Sequence, residues 1–146
     1  MTTAEKLHLE NQLCFPLYVA SRLTTRMYGP LLEELDVTYP QYLVLLALWQ
    51  TDSQTVGELT KRLYLETNTL TPLLKRLEQK QYISRKRSVT DERSVQISLT
   101  ESGQALKEQA LCIPEKIAEL VRDSTIDMQE LTSFYQTLQK IIQNAG

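Results

Sequence analysis

The residues from Thr55 to Leu99 constrain the fold most, because the hydrophobic period changes twice within them. Thr55-Val56-Gly57-Glu58 has the capping-box spacing and precedes Leu59 and Leu63, so a short helix starts here. After a brief link at Leu65 to Asn68, the residues Leu70, Leu73, Leu74 and Leu77 fall at i, i+3, i+4 and i+7 and predict a second helix. Pro72 fits that helix if it lies in the first turn, which makes Thr69 the expected N-cap. The period then falls to two. Ile83 to Arg87 and Val95 to Leu99 alternate as strands, joined by a polar tip, Ser88 to Ser94, that contains Asp91, Glu92 and Arg93. Two short helices with a tight link, followed directly by a basic hairpin, describe a helix-turn-helix with a wing.

Charge supports that reading. The chain as a whole is at −2, yet Lys61 to Arg93 holds nine basic residues against four acids, a local +5 on a body of −7. A concentrated basic face is what phosphate binding requires. The candidate DNA contacts are Thr67, Asn68, Thr69, Thr71, Lys75 and Arg76 on the second helix and Arg87 and Arg93 on the hairpin. Asp91 is expected to hold Arg93 extended toward a minor groove, or to act as an ordinary turn residue.

Flanking segments are helical. Leu9, Leu13 and Leu17 begin a first helix expected to run to about Tyr28, kinked at Pro16 beside Cys14, with Gly29-Pro30 as a break and a short apolar piece at Leu31, Leu32 and Leu35. Thr38-Tyr39-Pro40-Gln41 repeats the capping-box spacing and opens a helix that is apolar nearly all round, through Tyr42, Leu45, Leu46 and Trp49. Thr51 to Gln54 reads as a loop. Beyond the hairpin, Thr100 caps a helix expected to reach Val121 with a bend at Pro114, and a last helix carries Met128, Leu131, Phe134 or Tyr135, Leu138 and Ile142. The expected class is mainly α (α+β): one domain over 1–146, with a winged helix-turn-helix at 38–100 and dimerisation helices at 7–36 and 101–146. The terminal helices have more apolar stripe than one such unit can cover, which a homodimer explains.

No run approaches the ~18 apolar residues of a membrane span, and no signal-peptide pattern opens the chain, so a cytoplasmic protein with no membrane partner is expected. Cys14, Cys112 and a lone His8 make no metal-ligand pattern, and neither a metal nor a cofactor is expected. Cys14 next to a helix restarting at Pro16 would sit where partial positive charge favours thiolate; the competing reading is a small buried hydrophobe. Tyr18 lies one turn on and is within reach of the sulfur region, or is plain core. Cys112, between Leu111 and Ile113, reads as buried and structural.

Leu9 to Tyr18, Leu35 to Leu43, Asn68 to Glu78 and Asp91 to Thr100 together resemble the organic hydroperoxide resistance regulator branch of the MarR repressors, over nearly the whole chain. The resemblance implies a homodimeric repressor, bound to a pseudo-palindromic double-stranded operator, that lets go when organic hydroperoxide oxidises Cys14. It implies that Tyr18, Tyr28 and Tyr39 surround the thiol, with Tyr28 and Tyr39 assignable to the partner subunit, and that Asp91 and Arg93 form the wing pair. Thr67-Asn68-Thr69 stands where relatives often have Ser-Gly-Thr. With Cys112 structural, a small thiol is the expected trap for oxidised Cys14. No catalytic residue is assigned and no enzyme is expected. The alternatives are a regulator released by a small aromatic ligand and, with less support, a thiol peroxidase.

Overall fold

The computed structural model describes residues 2, 4–91, 93–122 and 125–146. Two 3-10 turns, Glu5–Leu7 and Leu9–Asn11, lead into α1 (Cys14–Glu33), followed by α2 (Tyr39–Gln50), β1 (Gln54–Thr55), α3 (Val56–Leu63), α4 (Thr67–Gln79), β2 (Ile83–Arg87), β3 (Val95–Leu99), α5 (Glu101–Ala110), α6 (Ile113–Val121) and α7 (Met128–Ala145). Helices α2 to α5 pack against a small antiparallel sheet of order β1-β3-β2, in the winged helix-turn-helix arrangement.

The first helix differs from expectation at both ends. It starts at Cys14 rather than Leu9, which puts Pro16 in the first turn, where amides have no intrahelical acceptor and a proline costs nothing. It then runs through Gly29-Pro30 rather than breaking there. Tyr28, Leu31, Leu32 and Leu35 continue one stripe at helical spacing, and burial of Leu32 and Leu35 against the core offsets the bond lost at Pro30. The helix closes in a Schellman motif. Val37 N donates to Leu32 O (3.1 Å) and Asp36 N to Glu33 O (3.0 Å), with Asp36 left-handed at φ 52°.

Helix α2 is the buried centre, as its all-round apolarity predicts: Tyr42, Val44, Leu45 and Leu48 are buried, and Gln41, 1% exposed, caps the helix by accepting from Thr38 N at 3.0 Å. Leu59 of α3, Leu70, Leu74 and Leu77 of α4, and Ile83 and Ile97 of the sheet close over it. The Thr55 cap forms as read, with Glu58 N donating to Thr55 Oγ1 (3.1 Å) and Thr55 N to Glu58 Oε2 (2.7 Å).

Four further expectations are corrected. Gln54, expected as the end of a loop, opens a two-residue strand with Thr55, paired with Ile97 and Gln96; two residues are too few to show a period. Helix α4 begins at Thr67 after Glu66, so Pro72 sits in the second turn and Thr69 is helical rather than a cap. The expected Thr100–Val121 helix is two helices: Thr100 caps α5 through Gly103 N (3.1 Å), and the chain breaks at Leu111-Cys112 so that Pro114 can occupy the first turn of α6. Cys112 is exposed at that junction, not buried. Among the described residues no helix is long and apolar enough to cross a membrane.

Candidate redox sensor and nucleic-acid interface

Cys14 is the first residue of α1 and is exposed, in the turn where the helix end favours negative charge. Tyr18 lies one turn later, also exposed, with the Arg22 guanidinium 5.6 Å from its ring centroid. Tyr28 and Tyr39 belong to a different place. Their rings pack 4.7 Å apart where the C-terminal part of α1 meets the start of α2, and Tyr42, 5.9 Å from Tyr28, joins them. Burial pushes all three phenols above their ordinary pKa. The neighbouring Tyr39 adds to this at Tyr28, and Tyr28, Tyr39 and Cys112 add to it at Tyr42. They are therefore protonated hydroxyl donors at neutral pH. The sequence pattern gives Tyr42 as core alone; its place three residues after Tyr39 on one helix face is the signal that joins it to the cluster.

Fourteen residues of helix separate Cys14 from Tyr28, about 21 Å at 1.5 Å per residue. The fold thus brings Cys14 to Tyr18, and Tyr28 to Tyr39, but does not bring the two pairs together within one chain.

On the reader, α4 buries Leu70, Leu74 and Leu77 and presents Thr67, Asn68, Thr69, Lys75 and Arg76 to solvent, with Thr71 half-buried and donating to Thr67 O at 2.8 Å. The hairpin pairs Arg87 with Val95 and Lys86 with Gln96, leaving Lys86 and Arg87 exposed. Not all the basic residues face outward. Arg85 turns back onto Glu78 of α4, with Nε 2.8 Å and Nη2 2.7 Å from Oε2. Arg62 donates to Gln54 Oε1 (3.4 Å) and Ala47 O (3.3 Å). Lys80 Nζ lies 3.0 Å from Asp36 Oδ1. Lys61, Lys75, Arg76, Lys86, Arg87 and Arg93 are exposed, make no ion pair among the described residues and are the cations left available on the reader.

At the wing tip the two readings of Asp91 separate. Asp91 Oδ1 accepts from the backbone amide of Arg93 at 3.0 Å, and Ser94 N donates to Asp91 O at 2.9 Å. Asp91 shapes the turn that carries Arg93 rather than pairing with its guanidinium. Glu92, counted among the local acids, lies outside the described residues.

A winged helix with a basic recognition helix and wing defines a DNA-binding regulator. Residues 26–110 match the family model described as transcriptional regulator SarA/Rot. The organic hydroperoxide resistance transcriptional regulator of Bacillus subtilis is 53% identical over 134 residues, covering 92% of this chain and 91% of the relative. Reduced AbfR bound to DNA is 36% identical and superposes with a TM-score of 0.80 over 99% of both chains; the disulfide form of AbfR superposes at 0.65 over 97% of this chain and 94% of AbfR. Wild-type MarR from E. coli, in its apo form, is 26% identical with a TM-score of 0.66, over 89% of this chain and 96% of MarR. The chain belongs to the MarR/SarA family of transcriptional regulators, in the organic hydroperoxide resistance branch that its motifs resemble.

Proposed function

We propose that this protein is a homodimeric, cytoplasmic repressor, without catalytic turnover, that releases a pseudo-palindromic operator when organic hydroperoxide oxidises Cys14. The observation that carries the reading is the split site: an exposed thiol opening α1, and a pair of half-buried, protonated tyrosines, Tyr28 about 21 Å along the same helix and Tyr39 packed on it from α2. Two copies related by a two-fold axis unite the halves, so that Cys14 and Tyr18 of one protomer meet Tyr28 and Tyr39 of its partner.

The chemistry balances within that site. The Cys14 thiolate attacks one peroxide oxygen, an S–O bond forms as the O–O bond breaks, and the leaving alkoxide takes a proton to become the alcohol. The sulfur loses two electrons and the peroxide gains them. The resulting sulfenic acid condenses with a small thiol, expelling water and leaving a mixed disulfide. Its bulk at the junction of the two halves displaces α1 and changes the spacing of the two readers. A hundredfold loss of affinity needs a differential stabilisation of ~2.7 kcal/mol.

DNA contacts are assigned to Thr67, Asn68, Thr69, Thr71, Lys75 and Arg76 at the major groove and to Arg87 and Arg93 on the wing, with Asp91 shaping the tip. That AbfR is described both reduced and overoxidised on DNA, and in a disulfide form, supports a redox-linked reader of this shape. The test is a gel shift on the DNA upstream of the protein's own gene. Cumene hydroperoxide should release wild-type protein and not Cys14→Ser; release of Cys14→Ser overturns the reading.

One observation favours a second reading. A cleft of about 420 Å³ between α2 and the α5–α6 junction is lined by Tyr42, Leu46, Trp49, Leu111 and Pro114 with Lys107 at its edge, a composition suited to a small aromatic acid. Release of Cys14→Ser by such an acid, without peroxide, is the result that would establish it.

A further inference from the structure

Helices α1 and α4 end in the same way, and the two ends are fastened to each other. Tyr82 N donates to Leu77 O (3.0 Å) and Gln81 N to Glu78 O (2.9 Å), with Gln81 left-handed at φ 61°, a Schellman closure matching the one at Asp36. From the α4 end, Lys80 donates to the Asp36 carbonyl and pairs with its carboxylate, and the Tyr82 hydroxyl donates to Leu35 O at 3.3 Å. Among the described residues these are the only hydrogen bonds and ion pairs between α1, with its closing turn, and residues 55–100.

Tyr82 is tied on its other side as well. Its carbonyl accepts from Thr100 N at 3.1 Å and lies 1.9 Å from where a Cβ on Gly103 would stand, so α5 seats directly on it. The next residue, Ile83, opens the wing. A displacement of the α1 terminus therefore reaches the recognition helix through Lys80 and the root of the wing through Tyr82. Helix α1 is 20 residues, about 30 Å, with Cys14 at one end and this fastening at the other. A helix of that length moves as a unit between discrete packings.

We propose that Lys80 and Tyr82 are positioning residues: through Asp36 and Leu35 they transmit the position of α1 to the recognition helix and wing, so that oxidation at Cys14 is felt at the DNA. This rests on the redox function proposed above. It also removes Lys80 from the DNA-facing charges with which its place in the sequence groups it.

Three variants test it in the full-length protein: Lys80→Met, which keeps the stem and removes the charge, Lys80→Arg, which keeps the charge, and Tyr82→Phe. Affinity for operator DNA is measured over a salt series, reduced and after cumene hydroperoxide, with free Cys14 thiol titrated in parallel. Lys80→Met and Tyr82→Phe should bind within threefold of wild type when reduced, lose their thiol at the wild-type rate, and show a peroxide-dependent loss of affinity at least tenfold smaller than wild type. Lys80→Arg should restore the response. The salt slope of reduced Lys80→Met should equal that of wild type; a slope lower by about one places the ammonium on a phosphate and overturns the proposal. Equal peroxide responses in wild type, Lys80→Met and Tyr82→Phe overturn the positioning role alone. Wild-type protein that keeps its DNA after oxidation overturns the redox function and the positioning role with it.

Discussion

The rings of Tyr28 and Tyr39 stand 4.7 Å apart at an interplanar angle of 47°, joining α1 to α2 at the end of α1 remote from Cys14. This contact is local to one chain, with both phenols partly withdrawn from water and Tyr42 packed against Tyr28. A thiol about 21 Å up the helix does not reach it. Under the proposed function the sensor is consequently a property of the dimer, and each protomer supplies the half its partner lacks.

That arrangement predicts complementation in trans. Tyr28→Phe and Tyr39→Phe should each slow oxidation of Cys14 by about tenfold, the loss of one hydrogen bond to a charged group (~1.5 kcal/mol). In a mixed dimer of Cys14→Ser with the Tyr28→Phe/Tyr39→Phe double variant, the one remaining Cys14 faces intact tyrosines across the interface. Its thiol should disappear at the wild-type rate under cumene hydroperoxide. A rate equal to that of the double-variant homodimer would place the tyrosines in cis.

The same tyrosines make stability depend on alkaline pH. Burial raises the folded-state pKa of Tyr28, Tyr39 and Tyr42 above the ordinary phenol value, so the folded protein holds their protons longer than the unfolded chain. Their contribution is fully present below about pH 10, the ordinary phenol value, and is lost as pH rises through the raised values. Urea midpoints should hold steady below that pH from this source and fall above it. The triple substitution to Phe should flatten that fall, although it carries some packing cost of its own.

Most of the reader is legible in the sequence, because capping boxes at Thr38 and Thr55 and the i, i+3, i+4, i+7 leucines at 70–77 are local signals that tertiary packing reinforces. Proline is where the reading goes astray. Pro16, Pro30, Pro72 and Pro114 each mark a possible boundary, but whether the helix starts, continues or breaks there depends on how much apolar surface the neighbouring turns bury. Leu32 and Leu35 carry α1 across Pro30; exposed Leu111 gives no such support, and the chain breaks before Pro114. Side-chain partners are also beyond reach, since nothing in the spacing shows Lys80 turned to Asp36 or Asp91 turned to a backbone amide. The division of Cys14 from Tyr28 follows from helix continuity alone, since both lie on α1 before Pro30 and Pro16 falls in its first turn without kinking it.

Arg85 and Lys86 are adjacent in sequence and should behave differently. Arg85 braces the wing on Glu78 through both Nε and Nη2, whereas Lys86 projects from the opposite side of the strand into solvent. Lys86→Ala should lower DNA affinity nearly uniformly across operator sequences and reduce the salt slope by about one. Arg85→Ala should leave that slope unchanged and lower the thermal midpoint instead, by the loss of a partly exposed pair contributing at most ~1 kcal/mol. The check is a salt titration of binding beside a melting curve for each variant.

Helix α7 buries none of its residues within the chain, yet Asp127 and Glu130 cap each other at its start, with Glu130 N 2.7 Å from Asp127 Oδ1 and Asp127 N 3.0 Å from Glu130 Oε2. A helix so well started, with Leu131 42% and Phe134 52% exposed, is stable when that face is covered by a second copy. Covering the remaining half of these two side chains in both protomers contributes ~4 kcal/mol, close to a thousandfold in dimer affinity. Leu131→Lys with Phe134→Lys should therefore give monomers by sedimentation equilibrium at micromolar concentration. Because the proposed sensing site needs both copies, the same variant should also lose rapid oxidation of Cys14, to the extent seen in the tyrosine double variant. Retention of a dimer would show that α7 is not its interface, while a monomer that is oxidised at the wild-type rate would return the tyrosines to the cysteine's own chain.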